Sequence, residues 1–178
     1  LITLKTVEDT VKEIPFYESA EYATIEGSPA FIEAAIEASF REYRPNAFID
    51  GVATPGGTGG IHHALFNYLD EGDTAITMDR YWAAYKSICR ETGRNFDTFV
   101  MFDAEGNFNV QGCIDKLQDY AAKQTNVFLI MNTPANNPTG YNVKQNEWEA
   151  IMAELTSIAN NGRNNVVLLM DIAYIDFA

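Results

Sequence analysis

The chain has 178 residues, enough for one ordinary domain with a real core, in which roughly two-thirds of the unfolded surface is buried. Apolar residues make up 47% and charged residues 21%, a globular composition that excludes a disordered or fibrous chain. Acidic residues outnumber basic ones 25 to 12, and the net charge of −13 argues against DNA, RNA and anionic membranes, whose phosphates need clustered Lys and Arg.

In chain order, residues 1–26 form an N-terminal segment with a helix expected over 7–14, broken by Pro15. Ser28 and Pro29 suit an N-cap and a proline at the first helical position, and Phe31, Ile32, Ala35, Ile36 and Phe40 follow at helical spacing. The string TPGGTGG at 54–60 leads into a helix marked by Ile61, Ala64, Leu65 and Leu69. Strand-length apolar runs then occur at 74–78, 96–102, 127–131 and 166–170. Helical patterns separate them at 82–91, 110–122 and 147–159, the last placing Trp148, Ile151, Met152, Leu155 and Ile158 on one side. Alternating strands and helices predict an α/β fold, a mostly parallel sheet with helices on both faces in three α/β/α layers. In such sheets ligands gather beyond the carboxyl ends of the strands.

Three segments carry candidate chemistry. In the glycine string, Gly56, Gly57, Gly59 and Gly60 let backbone amides approach a ligand, Thr58 adds a hydroxyl, and a helix N-terminus favours an anion such as phosphate. A simple turn accounts for such a cluster equally well. Neither the Walker pattern, which needs a lysine here, nor the dinucleotide fingerprint, whose third glycine would fall on His62, fits the spacing. The second segment, 132–140, follows the strand at 127–131; Pro138 and Gly140 set a turn and Asn137, preceding proline, is held extended. Turn formation alone also explains this string. In the third, Asp171 emerges from a very apolar strand, where a carboxylate needs a cation or strong donor, and no Lys or Arg is near in sequence. A ligand cation or a helix N-cap are the two readings.

Other residues exclude more than they suggest. Adjacent His62 and His63 point about 100° apart on a helix and have no ligand at helpful spacing, so no metal site is expected. Cys89 and Cys113 are far apart, which leaves a disulfide framework or structural zinc without support. No run reaches the roughly 18–20 apolar residues of a membrane span and no signal-peptide pattern opens the chain, so a cytoplasmic protein is expected.

Taken together, from about Tyr22 onward, these segments resemble the fold type I pyridoxal-phosphate (PLP) aminotransferases of class I/II, particularly the aspartate aminotransferase group. The resemblance implies that Gly57, Thr58 and Gly59 bind the cofactor phosphate and that Trp82, in the string DRYWAAY at 79–85, stacks on the pyridine ring. It implies that Asn137 and Tyr174 reach the phenolic oxygen, that Asp171 pairs with the protonated ring nitrogen, and that Tyr22 crosses a homodimer interface to the neighbour's phosphate. The implied substrates are an amino acid, aspartate or aromatic, and a 2-oxo acid.

The family's Schiff-base lysine lies downstream of the Asp171 strand, and none of the six lysines, Lys5, Lys12, Lys86, Lys116, Lys123 and Lys144, follows Asp171. Because the chain starts at Leu1 and ends at Ala178 after an apolar run, the expectation is a truncated central fragment: residues 27–178 as part of the large PLP-binding domain, with the lysine beyond Ala178 and the small domain absent. The parent is expected to be an enzyme and this piece inactive. A non-catalytic α/β module binding a nucleotide or other phosphorylated ligand through residues 56–60, an assembly fragment, and a PLP-dependent lyase of the same fold are the alternatives.

Overall fold

The computed structural model describes residues 2–177. They fall into two compact units, residues 1–53 and 54–178, with Leu1 and Ala178, the two ends of the chain, outside the described residues. The division lies downstream of the 26/27 boundary drawn from the sequence. Its cause is local: the Ala53 N–H donates to the Glu26 carbonyl at 2.7 Å, and a Cβ on Gly27, whose φ is +102°, would lie 2.5 Å from the Ala53 side chain. Residues 26 and 53 therefore belong to one body.

In the first unit, α1 (Lys5–Glu13) ends before Pro15 and is laced by the ion pairs Lys5–Asp9 and Lys12–Glu8. A short α2 (Phe16–Ser19), which the sequence pattern does not signal, follows Pro15 directly. The third helix, α3 (Pro29–Phe40), starts with proline in its first turn as expected, although the Ser28 side chain makes no capping hydrogen bond.

The second unit is the α/β body. Its elements run α4 (Gly56–Tyr68), β1 (Thr74–Met78), α5 (Ala84–Glu91), β2 (Asn95–Phe99), α6 (Val110–Lys123), β3 (Asn126–Asn132), α7 (Gln145–Ala159) and β4 (Asn165–Asp171). All pairings are parallel, and the strand order is β2-β1-β3-β4. Side-chain alternation along the strands feeds two cores. Ile76, Met78, Val127, Leu129 and Met131 pack with Cys113 and Leu117 of α6 and Ile151 and Leu155 of α7. Ala75, Phe128 and Ile130 pack with Ile61 and Leu65 of α4 and Tyr85 and Ile88 of α5 on the other face. Helices thus cover both faces, and residues 127–131 of β3 have no exposed surface.

Two boundaries and one helix face differ from the sequence pattern. The run 96–102 leaves the sheet after Phe99, because the N–H of Met101 turns to Asp79 Oδ1 (2.9 Å) and the Val100 carbonyl accepts from Asn109. The helix expected from residue 82 begins at Ala84, which leaves Trp82 in the preceding loop. On α7, Met152 is 44% exposed and turned off the buried face, while Glu147 takes a buried place by accepting from the Tyr141 hydroxyl (2.8 Å) and the Lys144 N–H (2.8 Å).

The sheet changes direction between β1 and β3: from β1 the chain moves outward to β2, then returns past β1 to β3 and on to β4. The connecting α5 lies on one face and α6 on the other. At such a switch point the loops beyond the strands diverge and open a crevice.

Leu117→Ala is expected to destabilise the second unit by about 2–5 kcal/mol in urea unfolding, because the α6–sheet contact closes poorly over the cavity. Burial pushes the Cys89 thiol up to about 11 and the Cys113 thiol up to about 12. The folded state therefore keeps protons that unfolded thiols release near about pH 8.5. This contribution to stability is complete below that pH and is lost as pH rises through the folded values, at up to roughly 1.4 kcal/mol per pH unit for each thiol. Unfolding measured from pH 8 to 11 should show the decline, and Cys113→Ala should make it shallower.

Candidate functional site

A cleft of about 250 Å³ opens at the carboxyl ends of the strands. Four separated segments build it. The first turn of α4 supplies Gly57 and Thr58; the β1–α5 loop supplies Trp82; the β3–α7 loop supplies Asn137; and the end of β4 supplies Asp171 and Tyr174, with Asn132 and Ala173 completing the wall.

The glycine string is not a loop ahead of the helix, as its composition suggests, but the opening turn of α4 itself. Gly56 takes a left-handed φ of +66°, and its N–H bonds to the Thr54 carbonyl at 2.7 Å. Gly59 does not line the cleft. A Cβ there would come within 2.8 Å of the Pro55 ring, so this glycine serves the packing of Pro55 on the first turn. Gly57 faces open space, and the first-turn N–H groups of a helix have no partner within it. Helix propensity alone would not start a helix on glycine; Ile61, Leu65 and Leu69, anchored in the core, carry it.

Trp82 is half-buried and meets the Tyr85 ring edge-on at 5.7 Å. Asn137 is placed by the frame around it. Its N–H donates to Asn132 Oδ1 at 2.6 Å, and its Nδ2 donates to the Tyr174 hydroxyl at 3.3 Å. Asn136, 2% exposed, braces the turn by donating to the Arg80 carbonyl (3.2 Å) and accepting from the Thr139 hydroxyl (2.8 Å). Gly140 needs its φ of +72° to close this turn, and its N–H donates to the Asn136 carbonyl. Both prolines of the loop, Pro134 and Pro138, follow cis peptide bonds.

Asp171 ends β4 in register with Asn132 of β3. Asn132, 2% exposed, donates from Nδ2 to the Asp171 main-chain carbonyl at 3.0 Å. The Asp171 carboxylate accepts from the Tyr85 hydroxyl at Oδ2 and from the Ala173 N–H at Oδ1, 3.2 Å. The contact to Ala173 closes a local turn and does not cap a helix, since the next helical residues are Ile175–Phe177; the contact to Tyr85 has no counterpart in the sequence reading. Tyr85 and Asn132 are the members of this arrangement that sequence reading passes over. The available signal was a tyrosine on an otherwise apolar helix face and an asparagine closing a wholly buried strand.

Among the described residues, Asp171 is the one formal charge in the cleft lining, and no lysine belongs to it. Tyr22 lies in the first unit and is 94% exposed. His62 stacks on Phe66 with ring centroids 6.3 Å apart, and among the described residues no group of three or more His, Cys, Asp or Glu is placed to hold a metal ion. No described helix is long and apolar enough to cross a membrane. Chemically, the cleft offers helix N–H groups for an anion, an aromatic wall, the neutral polar side chains of Thr58, Asn132, Asn137 and Tyr174, and one carboxylate.

The sequence profile of the family described as aminotransferase class I and II matches residues 3–178. A cytoplasmic aspartate aminotransferase of Schizosaccharomyces pombe is 29% identical over 170 residues, which span 89% of this chain and 39% of the relative. An aromatic-amino-acid aminotransferase of Paracoccus denitrificans is 28% identical over 159 residues, spanning 88% of this chain and 38% of the relative. An aminotransferase structure from Anaerococcus prevotii superposes on all of the chain with a TM-score of 0.97 at 38% identity, and 44% of that protein is covered. The chain thus spans about two-fifths of the length of these relatives. With 176 of its residues, from 3 to 178, matching the family profile, the chain belongs to the class I and II aminotransferases.

Proposed function

We propose that the chain forms part of the cofactor cradle of a PLP-dependent aminotransferase, which exchanges an amino group between an amino acid, aspartate or aromatic, and a 2-oxo acid. The observation that carries this reading is the convergence of Gly57, Thr58, Trp82, Asn137, Asp171 and Tyr174, from four segments, on one cleft. The donor set suits the group. The Gly57 and Thr58 N–H groups in the first turn of α4 and the Thr58 hydroxyl are the chemistry a phosphate requires. The Trp82 indole offers a face to a flat heteroaromatic ring. The Asn137 amide and the Tyr174 hydroxyl, already in contact, can both donate to a phenolic oxygen. The Asp171 carboxylate accepts from a protonated ring nitrogen.

When bound, PLP supplies an electron sink for a developing carbanion. The chain's residues hold and orient it: Asp171 keeps the ring-nitrogen proton in place, Trp82 excludes water from one face, and the helix N-terminus fixes the phosphate. A homodimer is the proposed assembly, with the exposed Tyr22 reaching the partner's phosphate, and the proposed compartment is the cytoplasm.

Titration of the 178-residue chain with PLP is expected to quench tryptophan fluorescence saturably, and Asp171→Ala should weaken binding by about tenfold or more. Saturable binding of ATP or NAD without any response to PLP would overturn the reading. Because no lysine lines the cleft among the described residues, the same polypeptide is expected to show no amino-acid-dependent turnover in a spectrophotometric assay. Measured turnover would contradict that expectation.

A further inference from the structure

Among the described residues, the Asp171 carboxylate is met from inside the protein by two neutral donors, the Tyr85 hydroxyl and the Ala173 N–H. Tyr85 has no exposed surface and sits in the apolar cluster of Leu65, Ile88 and Cys89, with its ring edge-on to Trp82. A hydroxyl there is costly to bury without a partner, and its hydrogen bond is to Asp171. Burial first, and the adjoining carboxylate second, push the Tyr85 phenol up, so it stays a protonated donor. A carboxylate offers about four lone-pair directions. Two are taken by Tyr85 and Ala173, and the main chain of Asp171 is tied separately by Asn132.

We propose that Tyr85 is a positioning residue: its hydroxyl fixes the Asp171 carboxylate in one orientation, leaving acceptor positions toward the cleft that favour a ring N–H over a ring C–H. The inference rests on the cofactor reading above, and adds how the chain would select a protonated pyridine nitrogen. Neutral donors suit that task. A lysine or arginine in the place of Tyr85 would neutralise Asp171 and repel a protonated ring.

The test compares PLP with its 1-deaza analogue, in which carbon replaces the ring nitrogen while phosphate, phenol and aldehyde remain. Dissociation constants are measured for the unaltered chain, for Tyr85→Phe, and for Ile88→Val, a control that loosens the same cluster without touching the carboxylate. The unaltered chain is expected to prefer PLP by about tenfold or more, and Tyr85→Phe to lose most of that preference. Ile88→Val is expected to keep it. If Tyr85→Phe weakens both ligands alike and leaves the ratio intact, Tyr85 is only structural and the inference falls while the cofactor reading stands. An unaltered chain that binds both ligands equally also overturns the inference; one that binds neither overturns the cofactor reading with it. A measurement without substitution guards against a variant that fails to fold. The sequestered Tyr85 hydroxyl proton should give a downfield NMR resonance that moves when PLP binds and not when the deaza analogue does, and an equal response to both ligands would overturn the proposal.

Discussion

The register between β3 and β4 is the constraint on which the cleft depends. It pairs Asn132 with Asp171, and it continues the alternation that sends Phe128 and Ile130 of β3, and Val167 and Leu169 of β4, to the face covered by α4 and α5. Asn132 and Asp171 are the next members of those two series, so they rise on the same face as the first turn of α4 and the Tyr85 ring. A slip of one residue would turn every side chain of β4 to the opposite face and carry the carboxylate away from α5. The slip is resisted because β3 is buried on both sides and both alternating sets are large and apolar. Packing deep in the sheet thereby fixes the position of a polar atom at its edge.

Beyond the strand ends the frame changes from apolar packing to hydrogen bonds. Asn132 and Asn136 are nearly inaccessible, and both amides are engaged with main-chain or hydroxyl partners. Buried amides are costly when unpaired and specific when paired, because each donor and acceptor accepts one geometry. Here they set the orientation of the loop that carries Asn137. Prolines and a left-handed Gly140 remove further freedom from the same loop. These internal hydrogen bonds orient the polar groups of the loop, which lowers the ordering cost of binding.

Much of this was legible in the sequence, for physical reasons that differ by element. β1, β3 and β4 lie within one residue of their expected limits; for β1 and β3 the reason is burial on both faces, which leaves little else their composition can do, and for β4, a half-buried edge strand, it is the unbroken apolar run from Val166 to Met170. The end of β2 was misread because Val100, Met101 and Phe102 remain apolar, and two of them buried or half-buried, after the backbone has left the ladder for Asp79 and Asn109. The start of α4 was misread because glycine has poor helix propensity, whereas its position here is decided by the core residues that follow. Gly57, Thr58, Trp82, Asn137, Asp171 and Tyr174 were each visible as residues following a strand or opening a helix. That they share a cleft with Asn132, and that Tyr85 reaches Asp171 across 86 positions, depends on tertiary geometry with no local trace.

The charge reading also gains a different meaning at the scale of the cleft. A net charge of −13 speaks against polyanions as partners of the whole surface, yet the local lining joins one carboxylate to a helix N-terminus of opposite polarity. A simple anion would meet Asp171 unfavourably, and a simple cation would meet the helix N-terminus unfavourably. A ligand that carries separated positive and negative groups on a flat frame satisfies both and gains the face of Trp82. Discrimination of this kind comes from the placement of two opposed features a fixed distance apart. Strand register and the packing of α4 set that distance, so the spacing of the two opposed features is inherited from the sheet core and not from the surface charge.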